Sequence, residues 1–519
     1  MSHSPEGTTA AAPTTGPGYL SHRQILVVLG GLMAGMFLAA LDQSVLGTAL
    51  PRITSELGGL DKLSWVVTAY LLTATASTPL WGKISDLYGR RIIFQTAIVT
   101  FVVGSMLSGM AWSIEALIGF RAVQGLGGGG LFALALAVIG DIIPPRERGR
   151  YQGYFGVVFG TSSVLGPVLG GWFTEGPGWR WIFYINVPVG LAALIVTSIA
   201  LRIPQVRREH SIDYLGASVI VAAVTSLLLY TAWAGPDHGW GSTLGLGLVA
   251  AGVLLTGLFV LVESRAREPI IPLELFRDSV FSISVAYTFI TGFAMFGSFI
   301  FLPIYLQVVD GMTPTASGLA MLPMVAGIFS TSISAGQLMT RTGRYKVFPI
   351  LGAATIVAGL LMLSGLDANA PYWQAGVAMY VLGAGLGLQM QILVTVVQNS
   401  VDRRHMGVAT SSVTFFRQMG GAFGTALLGA ILASRVASHL SELLPAGAAV
   451  GGAPNVNDVE AIQRLPAPVK EPVVEAFALS LNDAFLAAVP IVLVAFVLAF
   501  GIKERPLASR HGANDRGQP

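Results

Sequence analysis

The chain has 519 residues, of which 53% are hydrophobic and only 11% are charged, and its mean hydropathy is +0.69. Soluble domains carry about 25% charged residues, so this composition excludes an ordinary soluble enzyme. The net charge of +3 gives no indication of a nucleic-acid partner, and the lack of cysteine excludes disulfides and thiolate metal sites.

Apolar segments dominate the chain after a short polar start. Residues 1–22 are rich in Ser, Thr, Pro, Gly and Ala, which predicts a disordered tail and not a signal peptide. Apolar stretches of about 20 residues then recur, which is the length that a helix needs to cross a bilayer. Their continuous apolarity favours helices over a barrel. We predict fourteen spans, at 24–49, 61–81, 92–112, 115–140, 150–173, 181–201, 213–233, 242–262, 280–308, 314–340, 347–366, 373–398, 407–434 and 482–502.

The positions of the basic residues predict the orientation. With the N-terminus inside, 22 of the 30 Lys and Arg residues fall in inner segments and six in outer ones. The remaining two, Arg121 and Arg417, lie within spans. The positive-inside rule therefore predicts that both termini are cytoplasmic. The excess of Arg over Lys and the abundance of Ala and Gly indicate a GC-rich bacterium, and hence its cytoplasmic membrane.

The chain also contains an internal repeat. The segment 82–90 after the second span matches 336–344 after the tenth, and 125–149 aligns without a gap with 383–407. Such repeats are typical of secondary transporters, whose substrate site lies between the two halves. We predict a tail at 1–22, an N-terminal six-helix bundle at 23–202, two inserted helices at 203–278, a C-terminal six-helix bundle at 279–503 and a tail at 504–519. An outer loop at 435–481 is expected to hold short amphipathic helices near 456–464 and 470–480.

Asp42 is the carboxylate set well inside the predicted spans. Such a group costs about 2.5–3.5 kcal/mol to insert, so we expect it to face the bundle interior. Counting about 1.5 Å per residue from the outer face places Asp42 roughly 12 Å deep and Arg121 roughly 10 Å deep, so the two can pair. Because pairing lowers the pKa of a carboxyl and burial raises it, the pair is either a proton switch or a permanent structural ion pair.

Three further groups are candidate functional residues. The inner loop with Gly82, Asp86, Gly89 and Arg90 is interpreted as a conformational latch. In the fifth span, glycines spaced for close helix packing serve either simple packing or a sliding contact. They are Gly160, Gly166, Gly170 and Gly171, with Pro167 beside them. Arg417, near the midplane, is expected to contact either structural carbonyls and water or the substrate.

Several kinds of chemistry lack their motifs. The run 127–130 lies in a span and has no following Lys-Ser/Thr pair, and no Walker A motif occurs elsewhere, so an ATP motor is not expected. A GxSxG nucleophile elbow and an HExxH metal motif are also absent from the sequence. We expect no cofactor, no metal and no enzymatic activity.

These motifs together resemble the major facilitator superfamily, and specifically its fourteen-helix drug:proton antiporters of the QacA/EmrB type. The segments that carry the resemblance are 41–51 in the first span, 82–91 (motif A), Arg121 with Gln124 and Gly125 (motif B), 160–171 (motif C) and 179–188. The resemblance implies an all-α membrane fold, proton coupling by Asp42 and Arg121, and a latch at Asp86. It also implies that Gly166 and Pro167 shape the fifth helix.

The chain departs from family members that export dications, since spans 314–340 and 407–434 contain no Asp or Glu. We therefore expect apolar, amphipathic or monocationic substrates, exported in exchange for protons by a monomer. A permissive cavity is expected at Arg417, Gln418, Phe293, Phe296 and Met390. The alternatives are an exporter of a particular natural product or lipid, a proton-linked importer, or a non-transporting receptor or membrane enzyme.

Overall fold

The computed structural model describes residues 22–57, 62–143, 176–201, 213–234, 238–443 and 465–507, with scattered positions in 147–174 and at 462–463. Regular structure in these ranges is helical. The helices are α1 (His22–Leu57), α2 (Leu63–Tyr88), α3 (Arg90–Gly109), α4 (Ile114–Ile142), α5 (Trp181–Tyr184), α6 (Asn186–Ala200), α7 (Tyr214–Leu229), α8 (Thr243–Glu263), α9 (Ser279–Val308), α10 (Pro314–Ala320), α11 (Leu322–Thr342), α12 (Val347–Ser364), α13 (Tyr372–Ser400), α14 (Met406–Leu443) and α15 (Ala467–Phe500).

Eleven spans within the described residues are long and apolar enough to cross a membrane. The 26-residue α2 is not among them, and α7 is a shorter apolar helix of 16 residues that continues into a π-helical turn at Tyr230–Ala234. In the predicted span 150–173 the structure describes only scattered positions and the stretch 168–173. The chain is therefore a multi-pass membrane protein, and the count of fourteen spans stays a prediction.

The segment predicted as an outer loop at 435–481 differs from the structure at both ends. Helix α14 continues to Leu443, and α15 already begins at Ala467, so the predicted amphipathic helix at 470–480 is the first part of α15. The reason is burial, because Val436, Val473 and Phe477 pack into one core cluster of the second bundle. The predicted helix at 456–464 lies almost wholly outside the described residues.

The internal repeat corresponds to a repeated set of close helix contacts. Glycines of α4 lie against the backbones of α2 and α3, and glycines of α13 lie in the same way against α11 and α12. A Cβ atom at any of these positions would collide with the facing backbone. The pairs are Gly125–Tyr70, Gly127–Phe101 and Gly129–Ala74 in the first bundle, and Gly383–Met324, Gly385–Ile356 and Gly387–Ile328 in the second. Small residues thus allow the same close packing in both bundles.

The two bundles meet mainly through α14, which packs against α2 and α4 of the first bundle. The inserted pair α7 and α8 packs on itself and against α2. Side chains of α7, including Val219 and Ile220, share a core cluster with Ala76 of α2 and with Phe415 and Met419 of α14. The inserted helices therefore contact both bundles and border the interface between them.

The glycine contacts can be tested by adding one methyl group. We expect Gly129→Ala to lower the free energy of unfolding by about 1–3 kcal/mol, because the new Cβ collides with the carbonyl of Ala74. The control is Gly119→Ala on the same helix, where nothing lies within 4 Å of the added atom. Thermal unfolding in detergent should separate the two variants, and an equal loss in both would contradict the packing role.

Candidate functional site

Asp42 lies at the centre of a polar network inside the first bundle. Its Oδ2 accepts from Arg121 Nη1 at 2.5 Å, and its Oδ1 accepts from Gln124 Nε2 at 2.7 Å and from Asn186 Nδ2 at 3.3 Å. The Asp42 and Arg121 side chains are 2% and 1% exposed. The sequence-predicted partners therefore form a direct ion pair that is shielded from solvent, and α1, α4 and α6 each contribute to it.

The Arg121 guanidinium also contacts other side chains of the first bundle. Nη1 also donates to Gln124 Oε1 at 2.8 Å, and the guanidinium carbon lies 4.4 Å from the centre of the Tyr70 ring. Phe183 lies on another side, with its ring centre 5.8 Å away. Aromatic faces attract a desolvated cation, so this environment favours the charged guanidinium despite its burial.

Glycines place the network by letting the helices approach. Gly125 brings α4 against the Tyr70 carbonyl of α2, and Gly166 lies against Ser44, two residues after Asp42 on α1. The Ser44 hydroxyl donates to the Ser162 carbonyl at 2.8 Å, so the fifth predicted helix contacts α1 at this level. Of the other residues predicted in this group, Gly170 is buried, Gly171 has nothing near its Cβ position, and Gly160 and Pro167 lie outside the described residues.

A second polar cluster joins the two bundles at the end of the molecule where Arg90, Lys346 and Lys503 lie, called here the basic end. The Asp86 carboxylate accepts from the backbone N–H of Gly407 at 3.0 Å and of Val408 at 2.9 Å. These groups open α14, whose N-terminal dipole favours a facing anion. A residue of the predicted latch thus binds the helix N-terminus of the opposite bundle.

Arg90 ties Asp86 to its own bundle. Its Nη2 lies 2.6 Å from Asp86 Oδ1, and its Nε donates to Asp141 Oδ2 at 2.6 Å. Gly82 has no room for a Cβ, because Ser411 and the Gly407 carbonyl of α14 face it directly. Gly89 has a φ of 95°, a left-handed conformation that favours glycine, and it separates α2 from α3. Each predicted residue of this loop therefore has a definite place in the contact.

Further hydrogen bonds join the bundles toward the middle of the interface. Thr78 Oγ1 donates to Gln418 Oε1 at 3.3 Å, and Gln398 Nε2 donates to the Leu136 carbonyl at 2.9 Å. Together with Asp86, these contacts run along α2 and α4 from the middle of the interface to the basic end. In the described part of the chain, the two bundles are thus hydrogen-bonded to each other over this half of the interface.

The predicted substrate cavity is only partly present. Arg417 and Met390 line one small cavity together with Thr288, Thr291, Met295 and Gln389. Phe293 is instead packed into the core of the second bundle, Phe296 lies against Gly421, and Gln418 faces α2. The prediction of a cavity at all five residues missed this, because sequence spacing does not show which way each side chain points.

Two residues of the Asp42 network were not singled out by sequence reasoning. Asn186 was noted only as part of a family-like segment, and Tyr70 was not noted at all. Asn186 Nδ2 also donates to Ser105 Oγ at 2.9 Å, so it links α6 with α3 as well as with Asp42. The signal for Asn186 was available, since a lone amide in an apolar helix is costly unless it is hydrogen-bonded.

The fold and the site define a multi-pass membrane protein of two repeated helical bundles around a polar interface. The family model of the Major Facilitator Superfamily matches residues 32–425, so the chain belongs to this family, whose members are transporters and not enzymes. An uncharacterized MFS-type transporter of Mycobacterium tuberculosis is 42% identical over 98% of this chain and 74% of that protein. The multidrug transporter protein MdtP of Bacillus subtilis is 39% identical over 82% and 78%. The proton:xylose symporter XylE has the same fold, with a TM-score of 0.64 and 12% identity over 96% of this chain and 99% of that chain.

The ion pair can be tested by a double-mutant cycle. We expect Arg121→Gln to destabilise the protein by about 3–5 kcal/mol, because it leaves the Asp42 charge buried without its cation. Adding Asp42→Asn should recover part of that loss, because no uncompensated charge then remains. Unfolding in detergent measures both. The control Arg435→Gln, at a guanidinium 56% exposed beside Asp483, should cost less than about 1 kcal/mol. Additive losses at Asp42 and Arg121 would contradict direct coupling.

Proposed function

We propose that this transporter exports small apolar or amphipathic compounds from the cytoplasm in exchange for protons, by alternating access across a bacterial cytoplasmic membrane. In this proposal the basic end and both termini face the cytoplasm. The observation that carries it is the shielded Asp42–Arg121 pair, since a buried carboxylate in a membrane bundle is a natural proton carrier. The multidrug transporter of B. subtilis that resembles this chain supports the efflux role.

Protonation of Asp42 is the proposed coupling step. A proton on this carboxyl removes its charge, so the attraction to Arg121 is lost and the guanidinium is left with Gln124 and the Tyr70 ring. The Asn186 amide donates to the charged carboxylate, and after rotation its oxygen can accept from the protonated form. The protonation state of Asp42 therefore changes the contacts of α1, α4 and α6 at once, which links the proton to the shape of the bundle.

The inter-bundle contacts define the other half of the cycle. Asp86 at the N-terminus of α14 and the Thr78–Gln418 bond hold the bundles together from the basic end to the middle. We assign this arrangement to a state closed toward the cytoplasm, from which substrate leaves outward. Opening toward the cytoplasm then requires Asp86 to leave α14, which is the proposed role of the latch.

Voltage favours this direction of exchange. A potential of 100 mV contributes about 2.3 kcal/mol for each elementary charge that crosses the membrane. When a neutral compound leaves and one proton enters, one positive charge moves inward. The inside-negative potential therefore adds to the pH gradient in driving export.

The coupling role is tested with Asp42→Asn in proteoliposomes. We expect this variant to lose transport driven by a pH gradient and to keep substrate counterflow, because the amide preserves the shape but carries no proton. The measurements are uptake of a fluorescent drug under an imposed gradient and exchange of labelled for unlabelled drug without one.

The matched control is Asp402→Asn, whose side chain is 74% exposed near Arg404 and should leave both activities unchanged. Gradient-driven transport that survives in Asp42→Asn would refute coupling through this carboxyl. Drug movement into right-side-out vesicles, and not into everted ones, would instead assign an importer.

Alternating access is tested by a reducible cross-link between the bundles. Because the chain has no cysteine, Thr78→Cys with Gln418→Cys introduces the only thiols. Joining the two thiols with a short bis-methanethiosulfonate reagent should lower transport at least tenfold by preventing separation of α2 from α14, and reduction should restore it. Transport assays before and after reductant, with gel mobility as the readout of cross-linking, give the result.

The control pair lies inside one bundle. Gln95 Nε2 donates to Ser198 Oγ at 2.7 Å between α3 and α6, so cysteines at both positions lie within reach of the same reagent. Transport should then continue, because each bundle moves as a unit. Full transport by the protein cross-linked between positions 78 and 418 would rule out separation of the bundles at this point.

A further inference from the structure

We propose that Arg417 binds an anionic group of the exported compound, so that amphipathic anions are among the substrates of the transporter. This inference rests on the proposed function and specifies its substrate class. It starts from a contrast between the two buried guanidiniums. Arg121 has a carboxylate at 2.5 Å, whereas Arg417, whose residue is 8% exposed, has no hydrogen bond or ion pair to any residue that the structure describes.

The sequence offers no carboxylate that could take this place. The spans that form its surroundings, 280–308, 373–398 and 407–434, contain no Asp or Glu. Asp42 is already bound by Arg121, Gln124 and Asn186 in the first bundle. An unpaired cation at this depth is costly, so a retained guanidinium here calls for a ligand that supplies the negative charge.

The surroundings of Arg417 form a built site with a second unsatisfied group. Gln389 lines the same cavity, is 2% exposed, and its Oε1 is buried with no hydrogen-bond partner among the described residues. Thr288 and Thr291 add hydroxyl groups, and Met295 and Met390 add flexible apolar surface. The site therefore presents a cationic donor and a neutral acceptor within an apolar wall.

The position of the cavity connects it to the transport cycle. Arg417 precedes Gln418, which accepts from Thr78 across the bundle interface. The Arg417 carbonyl lies directly against Gly292 of α9, within the second bundle. In the present state the cavity has room for about one water molecule, so it must widen before a substrate can enter. The lining residues belong to α9, α13 and α14, so the cavity lies within the second bundle, beside the helix that forms the interface.

These features specify the chemistry of the ligand. A carboxylate or sulfonate accepts two parallel hydrogen bonds from a guanidinium, and the Gln389 oxygen accepts from a hydroxyl or N–H beside that anion. The apolar remainder packs against the methionines. A monocationic compound, expected from the sequence alone, would be repelled by Arg417. Export of a monoanion against one proton moves two charges in the same sense, so transport should depend more steeply on voltage than export of a neutral compound.

The experiment compares two probes that differ in one group. 1-Anilinonaphthalene-8-sulfonate carries the anion and an adjacent N–H, and N-phenyl-1-naphthylamine lacks only the sulfonate. Gradient-driven uptake of each into everted vesicles is measured by mass spectrometry for the wild type, Arg417→Gln, Arg417→Lys and the control Arg435→Gln on the same helix. Vesicles with Asp42→Asn give the background.

We expect the wild type and Arg435→Gln to accumulate both probes. Arg417→Gln should lower sulfonate uptake at least tenfold and leave naphthylamine uptake within about twofold, and Arg417→Lys should retain part of the sulfonate uptake. A valinomycin-imposed potential should accelerate sulfonate uptake more than naphthylamine uptake. Because a glutamine variant could fail to fold, thermal stabilisation of the purified wild type by the sulfonate, weakened but still present in Arg417→Lys, gives a second readout.

Other outcomes overturn the inference in distinguishable ways. Uptake of the naphthylamine without the sulfonate by the wild type refutes the anion site and leaves the proposed function intact. Equal losses of both probes in a folded Arg417→Gln assign a structural role to Arg417. Equal dependence of both probes on chloride, tested in gluconate buffer, assigns the site to a resident inorganic anion. Uptake of neither probe by the wild type counts against the proposed function as well.

Discussion

The interaction on which the first bundle depends is the ion pair between Asp42 and Arg121. A single charge within a bilayer costs about 2.5–3.5 kcal/mol, so both groups must be satisfied inside the protein. The carboxylate accepts hydrogen bonds from side chains of α4 and α6, and the guanidinium packs against the Tyr70 ring of α2. Four helices thereby contact one polar centre. A change in the charge of Asp42 or Arg121 would alter the contacts of all four.

Close glycine contacts favour motion of each bundle as a whole. In α4 and α13, glycines face neighbouring backbones with no room for a methyl group, and the two sets of contacts are equivalent. Packing this tight resists bending within a bundle. The contacts between bundles are of another kind, since they consist of a few side-chain and helix-terminus hydrogen bonds such as those of Asp86. We therefore expect the two bundles to move relative to each other at the interface between them, where only a few polar contacts must break.

The two bundles share an architecture but differ in their buried charges. The first contains a satisfied ion pair, and the second contains Arg417 without a partner among the described residues. This asymmetry supports a division of roles, with proton coupling in the first bundle and substrate binding in the second. Helix α14 connects them, because it carries Arg417, faces Thr78 through Gln418 and receives Asp86 at its N-terminus. One helix thus links the latch with the proposed substrate site.

The sequence by itself determined the membrane class, the repeat and the pairing of Asp42 with Arg121, because apolar length, glycine spacing and depth from the membrane face are one-dimensional quantities. It also singled out Asp86, since a carboxylate between glycines in a short basic loop has few structural uses. Tertiary structure alone decided that Tyr70 and Asn186 complete the Asp42 network, that Phe293 is core and not cavity, and that α15 begins at Ala467. Those facts depend on which way a side chain points around a helix axis and on which neighbour it meets, and these are fixed only when the helices pack.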